Sequence, residues 1–274
     1  MFWTRLASGV ILVIIALLTM SLGGLPLAIT LLVISLVAYR ELTRALSCAS
    51  HEKKLNGLEW VGMAGIVCYY AAIYFSNQAA LIFMCVVGVF MGMMLVYVAA
   101  FPKFQANQVM AAFFSFMYAP VMLSFVYLTR MSLEGIYMVW LILISAWGCD
   151  TCAYVVGKLI GKKKIFPVLS PHKSLEGCIG GVLGAALIGG LYGWLFVEKV
   201  FPDQAVIWVI AFICAVSAVM SMVGDLAASA IKRNHNIKDY GHIIPGHGGI
   251  MDRFDSMIVT APAIYFLTVL MIQL

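Results

Sequence analysis

Four aspartates stand within or beside long apolar runs: Asp150, Asp225, Asp252 and Asp255. A charged side chain at the centre of a membrane-spanning helix costs about 2.5 to 3.5 kcal/mol on insertion scales, so such residues are functional candidates by default. Asp252 and Asp255 are spaced i, i+3 and share one helical face, an arrangement in which two carboxylates hold one cation. An ordinary ion-pair set with Arg253 or Lys232, at a helix start whose dipole suits acids, explains one such pair. It explains four acids at one depth less well, because clustered carboxylates repel unless a multivalent cation neutralises them. Oxygen ligands favour Mg²⁺, Mn²⁺ or Ca²⁺ over zinc, and Mg²⁺ typically takes one or two carboxylates plus substrate phosphates. A phosphate-bearing substrate is the implication.

Two loops carry groups suited to that phosphate. Pro245-Gly246-His247-Gly248-Gly249 is a flexible turn that feeds the helix bearing Asp252 and Asp255, and the free N–H groups of a helix start favour anions. Upstream of it stand Lys232, Arg233 and Lys238. The second loop runs through Lys162-Lys163-Lys164 to Ser170-Pro171-His172-Lys173-Ser174, placing a lysine and hydroxyls just before a glycine-rich helix. No G-x-x-x-x-G-K-[ST] run is present, which excludes a Walker-type nucleotide loop. The lysine triplet itself reads as orientation and attraction to anionic lipid. Cys149-Asp150-Thr151-Cys152 is formally C-x-x-C, but no second cysteine pair or zinc-finger histidine spacing accompanies it. The seven cysteines, an odd number lying mostly in apolar runs, read as reduced packing residues.

The elements that must position these groups follow from composition. Of 274 residues 64% are apolar and 11% charged, where soluble domains carry about 25% charge. A soluble globule is excluded. At about 20 residues per span, the apolar runs give an all-α polytopic membrane protein of about nine helices. They lie near 6–22, 25–43, 58–76, 79–100, 108–128, 134–157, 178–197, 206–230 and 250–273. Five spans fall in an N-terminal region, 1–133. Four fall in a C-terminal region, 134–274, which holds both motif loops. With alternating spans and a cytoplasmic N-terminus, every Lys and Arg except Arg130 and Lys199 falls on or near the cytoplasmic side. The positive-inside rule then puts the C-terminus outside and all four aspartates toward the cytoplasmic end. The net charge of +5 reads as loop orientation rather than nucleic-acid binding. Gly177/Gly181, Gly180/Gly184 and Gly189/Gly193 stand at G-x-x-x-G spacing, which predicts close helix packing.

The run Ser229-Ala230-Ile231-Lys232-Arg233, then Lys238-Asp239, then Pro245-Gly246-His247-Gly248-Gly249-Ile250-Met251-Asp252-Arg253-Phe254-Asp255 closely resembles the motif of the phosphatidate cytidylyltransferases. The resemblance extends to Trp147–Tyr154, Ser170–Gly177 and Gly224-Asp225, about the C-terminal 130 residues. It departs from the family at Ala228, where an acid is common, and at His172.

This resemblance implies formation of CDP-diacylglycerol and pyrophosphate from CTP and phosphatidic acid with Mg²⁺, whether or not a second cation takes part. It places the metal on Asp225, Asp252 and Asp255, with Arg253 and Lys232 assisting catalysis. The substrate-binding residues expected are Ser170, Lys173, Ser174, Asp150, Arg233, Lys238, His247, Gly248 and Gly249. The setting is a bacterial inner membrane with the active site facing the cytoplasm, phospholipid biosynthesis as the purpose and membrane lipids as surroundings; whether the chain forms a homodimer stays open. A cation- or proton-coupled transporter would place its acids along a pathway near the midplane, and no inverted repeat is visible. A CDP-alcohol phosphatidyltransferase would carry a D-G-x-x-A-R run, which is absent.

Overall fold

The bilayer offers no water to backbone N–H and C=O groups, so a chain this apolar must satisfy them within helices. The computed structural model describes residues 2–46, 55–76, 78–167, 169–202, 205–244 and 248–273. Its helices are α1 (Phe2–Leu22), α2 (Gly24–Ala45), α3 (Gly57–Phe75), α4 (Ala79–Ala99), α5 (Ala106–Met131), α6 (Gly135–Ile160), α7 (Leu175–Val197), α8 (Val206–Asn234) and α9 (Met251–Ile272). There is no strand among the described residues, only two isolated bridges, Lys164 to Ser174 and Ile244 to Gly248.

Among the described residues eight helices, α2 to α9, are long and apolar enough to cross a membrane, and Ser8–Leu22 of α1 is a shorter apolar stretch. The protein is thus all-α and polytopic. Nine spans were expected; the difference lies at α1. Local signals set the ends. Gly23 and Gly24 adopt φ 65° and 49° to turn α1 into α2, backbone angles that favour residues without a Cβ. Asn56 and Glu59 form a capping box at the start of α3. Pro120, which has no N–H to give, sits in a π-helical turn, Met117–Val121, inside α5.

The chain divides into two compact units, 1–127 with 235–253 and 128–234 with 254–274. The sequence division at 133/134 therefore differs from the observed one, most of all because 235–253 joins the N-terminal helices. In the first unit Tyr39, Tyr69, Tyr70 and Phe116 are buried. The Tyr70 hydroxyl lies 2.8 Å from that of Ser35 and donates to the Pro120 carbonyl at 3.3 Å, while Tyr69 and Ser124 hydroxyls lie 3.1 Å apart. In contrast α4 buries only Val89 and Met93, leaving its remaining apolar surface for lipid.

In the second unit the glycine face of α7 packs as its spacing predicts. A Cβ on Gly181 would lie 3.0 Å from Cys149 Sγ, one on Gly180 2.6 Å from Val156, and one on Gly189 would collide with Cys214. Between lipid-embedded helices there is no hydrophobic driving force, so such close backbone approach supplies the association through dispersion. The six described cysteines are free thiols. Cys149 and Cys214 serve here as small buried packing groups.

Candidate active site

In the second unit a π-helical turn, Ile144–Gly148, opens the last stretch of α6, and Asp150 stands two residues beyond it. Such turns widen the helix locally and are frequent at functional sites. From Asp150 onward, α6 and the start of α7 enclose a cavity of about 420 Å³ with the loop that joins them. Asp150, Lys158, Lys164, Ser170, Lys173 and Ser174 line it. Three lysines against one carboxylate make this chamber suited to an anion.

The loop is fastened at both ends. The Glu176 carboxylate accepts from the backbone N–H of Lys162 at 3.0 Å and of Lys163 at 3.3 Å, and Leu175 N–H donates to Lys163 O at 2.8 Å. Lys164 Nζ donates to the His172 carbonyl at 2.8 Å. Ser174 is the N-cap of α7, its Oγ accepting from Gly177 N–H at 3.2 Å. Its neighbour Lys173 reaches α8, where its ammonium pairs with Asp225 Oδ2. Lys173 Nζ is closed off from solvent, although the Asp225 side chain stays 30% exposed.

Asp255, on α9, is 9% exposed and accepts from Ser256 N–H at 2.8 Å. Its carboxylate feels Asp225 and Asp150 as like charges and Lys232 as the opposing one. Close packing accounts for the approach of α8 to α9. A Cβ on Gly224 would lie 2.8 Å from the Asp255 carbonyl. Three of the four aspartates, with Lys173 and Lys232, are therefore brought together within this unit, and exposed Arg233 ends α8.

Asp252 is fastened in the first unit. Its Oδ2 accepts from Tyr240 N–H at 2.9 Å and from Gly249 N–H at 3.0 Å. Gly248, at φ 85°, closes a bridge in which its carbonyl accepts from Ile244 N–H at 3.0 Å. Lys238 and Arg253 are exposed. His247 lies outside the described residues.

At the start of α9, where the sequence suggests a phosphate, three amides are engaged within the chain. The N–H groups of Ile250 and Met251 donate to Glu41 of α2, at 3.1 and 2.8 Å, and the Gly249 N–H is held by Asp252. An internal carboxylate already occupies the place of the anion. Glu41 was missed by the sequence reading, though it lies in an apolar run, the same signal that marked the aspartates. Glu59 was missed too; it is buried, caps α3 and pairs with Arg40 at 3.4 Å. Lys158 and Lys164 were read only as orientation charges, although Lys158 lies two helical turns after Asp150.

Among the described residues no group of three or more His, Cys, Asp or Glu side chains is placed to hold a metal ion by itself. A closed cage is not what Mg²⁺ requires, since it keeps open positions for waters and phosphates. The Lys173 ammonium already stands on Asp225 as a cation; Asp150 lies in the field of both, and Asp255 in that of Asp225 and Lys232. Asp150, Asp225 and Asp255 are oxygen donors of the kind that Mg²⁺ takes.

The chain is similar to phosphatidate cytidylyltransferases of Staphylococcus saprophyticus and Staphylococcus epidermidis, each 38% identical over 164 residues, a match covering 60% of this chain and 60% of the relative. It is 29% identical to the Bacillus subtilis phosphatidate cytidylyltransferase over 273 residues, 97% of each chain. The model of the cytidylyltransferase family matches residues 3–271, and the chain belongs to that family.

Proposed function

We propose that this protein forms CDP-diacylglycerol and pyrophosphate from CTP and phosphatidate, as a step of phospholipid biosynthesis at the cytoplasmic face of a bacterial inner membrane. The observation that carries the reading is the lysine-lined chamber of α6 and α7, one of whose lining lysines, Lys173, pairs with the Asp225 carboxylate. The names of the relatives support the choice of substrates.

An oxygen of the phosphatidate monoester attacks the α-phosphorus of CTP. A new P–O bond forms, the bond to the β-phosphate bridging oxygen breaks, and pyrophosphate leaves with its electron pair. No covalent enzyme intermediate is needed, so alignment and electrostatics supply the rate. Lys158, Lys164 and Lys173 hold the triphosphate, and Ser170 and Ser174 orient it. Asp225 and Asp255, with Asp252 as the third carboxylate implied by the motif, would hold Mg²⁺, which would supply positive charge for the departing pyrophosphate. Lys232 and Arg253 add positive charge. The basic asymmetry of the loops supports an N-terminus inside the cell, where CTP is available.

The direct test is purified protein with labelled CTP, phosphatidate and Mg²⁺. A lipid-extractable cytidine product is expected; its absence across several lipid and metal conditions refutes the reading.

A further inference from the structure

Glu41 is 3% exposed near the C-terminal end of α2, and its carboxylate partners lie 209 and 210 residues further along the chain. Oε1 takes the N–H of Ile250 and Oε2 that of Met251, so one side chain closes both of these amides at the start of α9. The loop is shaped around it. A Cβ on Gly241 would collide with Oε1 and lie 2.7 Å from Cδ, and one on Gly249 would lie 2.6 Å from Oε2. Next in sequence, the N–H of Gly249 turns instead to Asp252 Oδ2, which also takes the N–H of Tyr240. Four backbone amides are thus divided between two carboxylates, and both bonds to Asp252 end on the same oxygen. That fixes which edge of the Asp252 carboxylate faces the loop.

We propose that Glu41 is a positioning residue for Asp252: it acts as a built-in anion at the start of α9 and sets the orientation in which the Asp252 carboxylate is presented to the reaction. The inference deepens the proposed function, because it rests on Asp252 serving there. A neutral amide at position 41 would offer one acceptor and turn an N–H₂ group toward the second amide, leaving it unmatched. A negative charge facing the positive end of α9 would be lost as well.

The test uses the full chain in detergent, as Glu41→Gln, Glu41→Ala, Gly241→Ala and Gly241→Ala/Glu41→Ala. Amide hydrogen exchange read by mass spectrometry, with neither nucleotide nor metal, should be at least tenfold faster at Ile250 and Met251 in Glu41→Gln while α3 and α7 keep their protection. In the cytidine-transfer assay the same variant should lose about tenfold in kcat and need more Mg²⁺ for half-maximal rate, with the KM for phosphatidate unchanged. Gly241→Ala should lower the rate in the native background and add no loss on Glu41→Ala, since the atoms its Cβ would crowd are then gone. Unchanged exchange at Ile250 and Met251 overturns the proposal. So does faster exchange with native kcat and Mg²⁺ dependence, which would make Glu41 a structural cap alone. If the native chain yields no cytidine product, the proposed function fails, and the exchange data still decide whether Glu41 holds the loop.

Discussion

The ammonium of Lys173 is the counter-ion of Asp225, so a loop residue just before α7 neutralises a carboxylate of α8. That pairing shields Asp225, and under the proposed function the same ammonium also meets a phosphate of CTP.

Replacing Lys173 by Ala should raise the KM for CTP more than it lowers kcat, because the positive charge meets the triphosphate in both ground and transition states. Steady-state rates at varied CTP and saturating phosphatidate check this. A variant with native CTP dependence would remove Lys173 from the substrate site.

Asn at position 225, 252 or 255 should each cut turnover by about 100- to 1000-fold or more, the scale of losing one preorganised electrostatic group. The amide binds a hard divalent cation poorly. Asp150→Asn should be equal or milder. Turnover measured across a Mg²⁺ titration, with size-exclusion profiles to confirm folding, decides it; a native Mg²⁺-dependent rate in Asp252→Asn would sink the assignment.

Ser174 caps α7 through its Oγ, and removing a serine cap costs about 1 kcal/mol. Ser174→Ala should therefore lower the thermal midpoint in detergent by roughly 2 to 4 °C. Ser174→Asp should restore the cap while placing a negative charge in the cavity, so its midpoint recovers and its KM for CTP rises. If both variants lose CTP affinity equally without any change of midpoint, the hydroxyl acts on substrate alone.

Gly181 lies where a Cβ would stand 3.0 Å from Cys149 Sγ. Gly181→Val should overpack α6 against α7 and cost about 1 to 3 kcal/mol. Thermal unfolding read by tryptophan fluorescence measures it, and an unchanged midpoint would show that the helices separate freely there.

Direct displacement requires both substrates together. Enzyme, Mg²⁺, CTP and labelled pyrophosphate without phosphatidate should yield no labelled CTP; rapid exchange would reveal a cytidylyl-enzyme.

The helices were legible because lipid leaves an apolar chain few alternatives, and runs of 19 or more residues such as Gly57–Phe75 and Val206–Asn234 declare themselves. The lysine and serine before α7 were legible because capping and charge are local. Glu41 was not, because its partners are two backbone amides 209 and 210 residues away, and Arg-Glu-Leu-Thr-Arg at the end of a span reads as ordinary interfacial charge. The same distance hid the carboxylate at α9: a helix start predicts an anion, and local sequence does not say whether the anion comes from a substrate or from the chain itself. The join of 235–253 to the N-terminal helices was hidden for the same reason.

The bond from Glu41 to the start of α9 also has a consequence for biosynthesis. Glu41 leaves the ribosome some 210 residues ahead of the amides that satisfy it, which at about 5 to 20 residues per second is a delay of roughly 10 to 40 s. Throughout that interval the nascent α2 carries a carboxylate near the end of an apolar segment with its final partners unmade. The N-terminal helices therefore complete their packing only once the start of α9 has emerged, and the unit is sealed by a segment made long after α2.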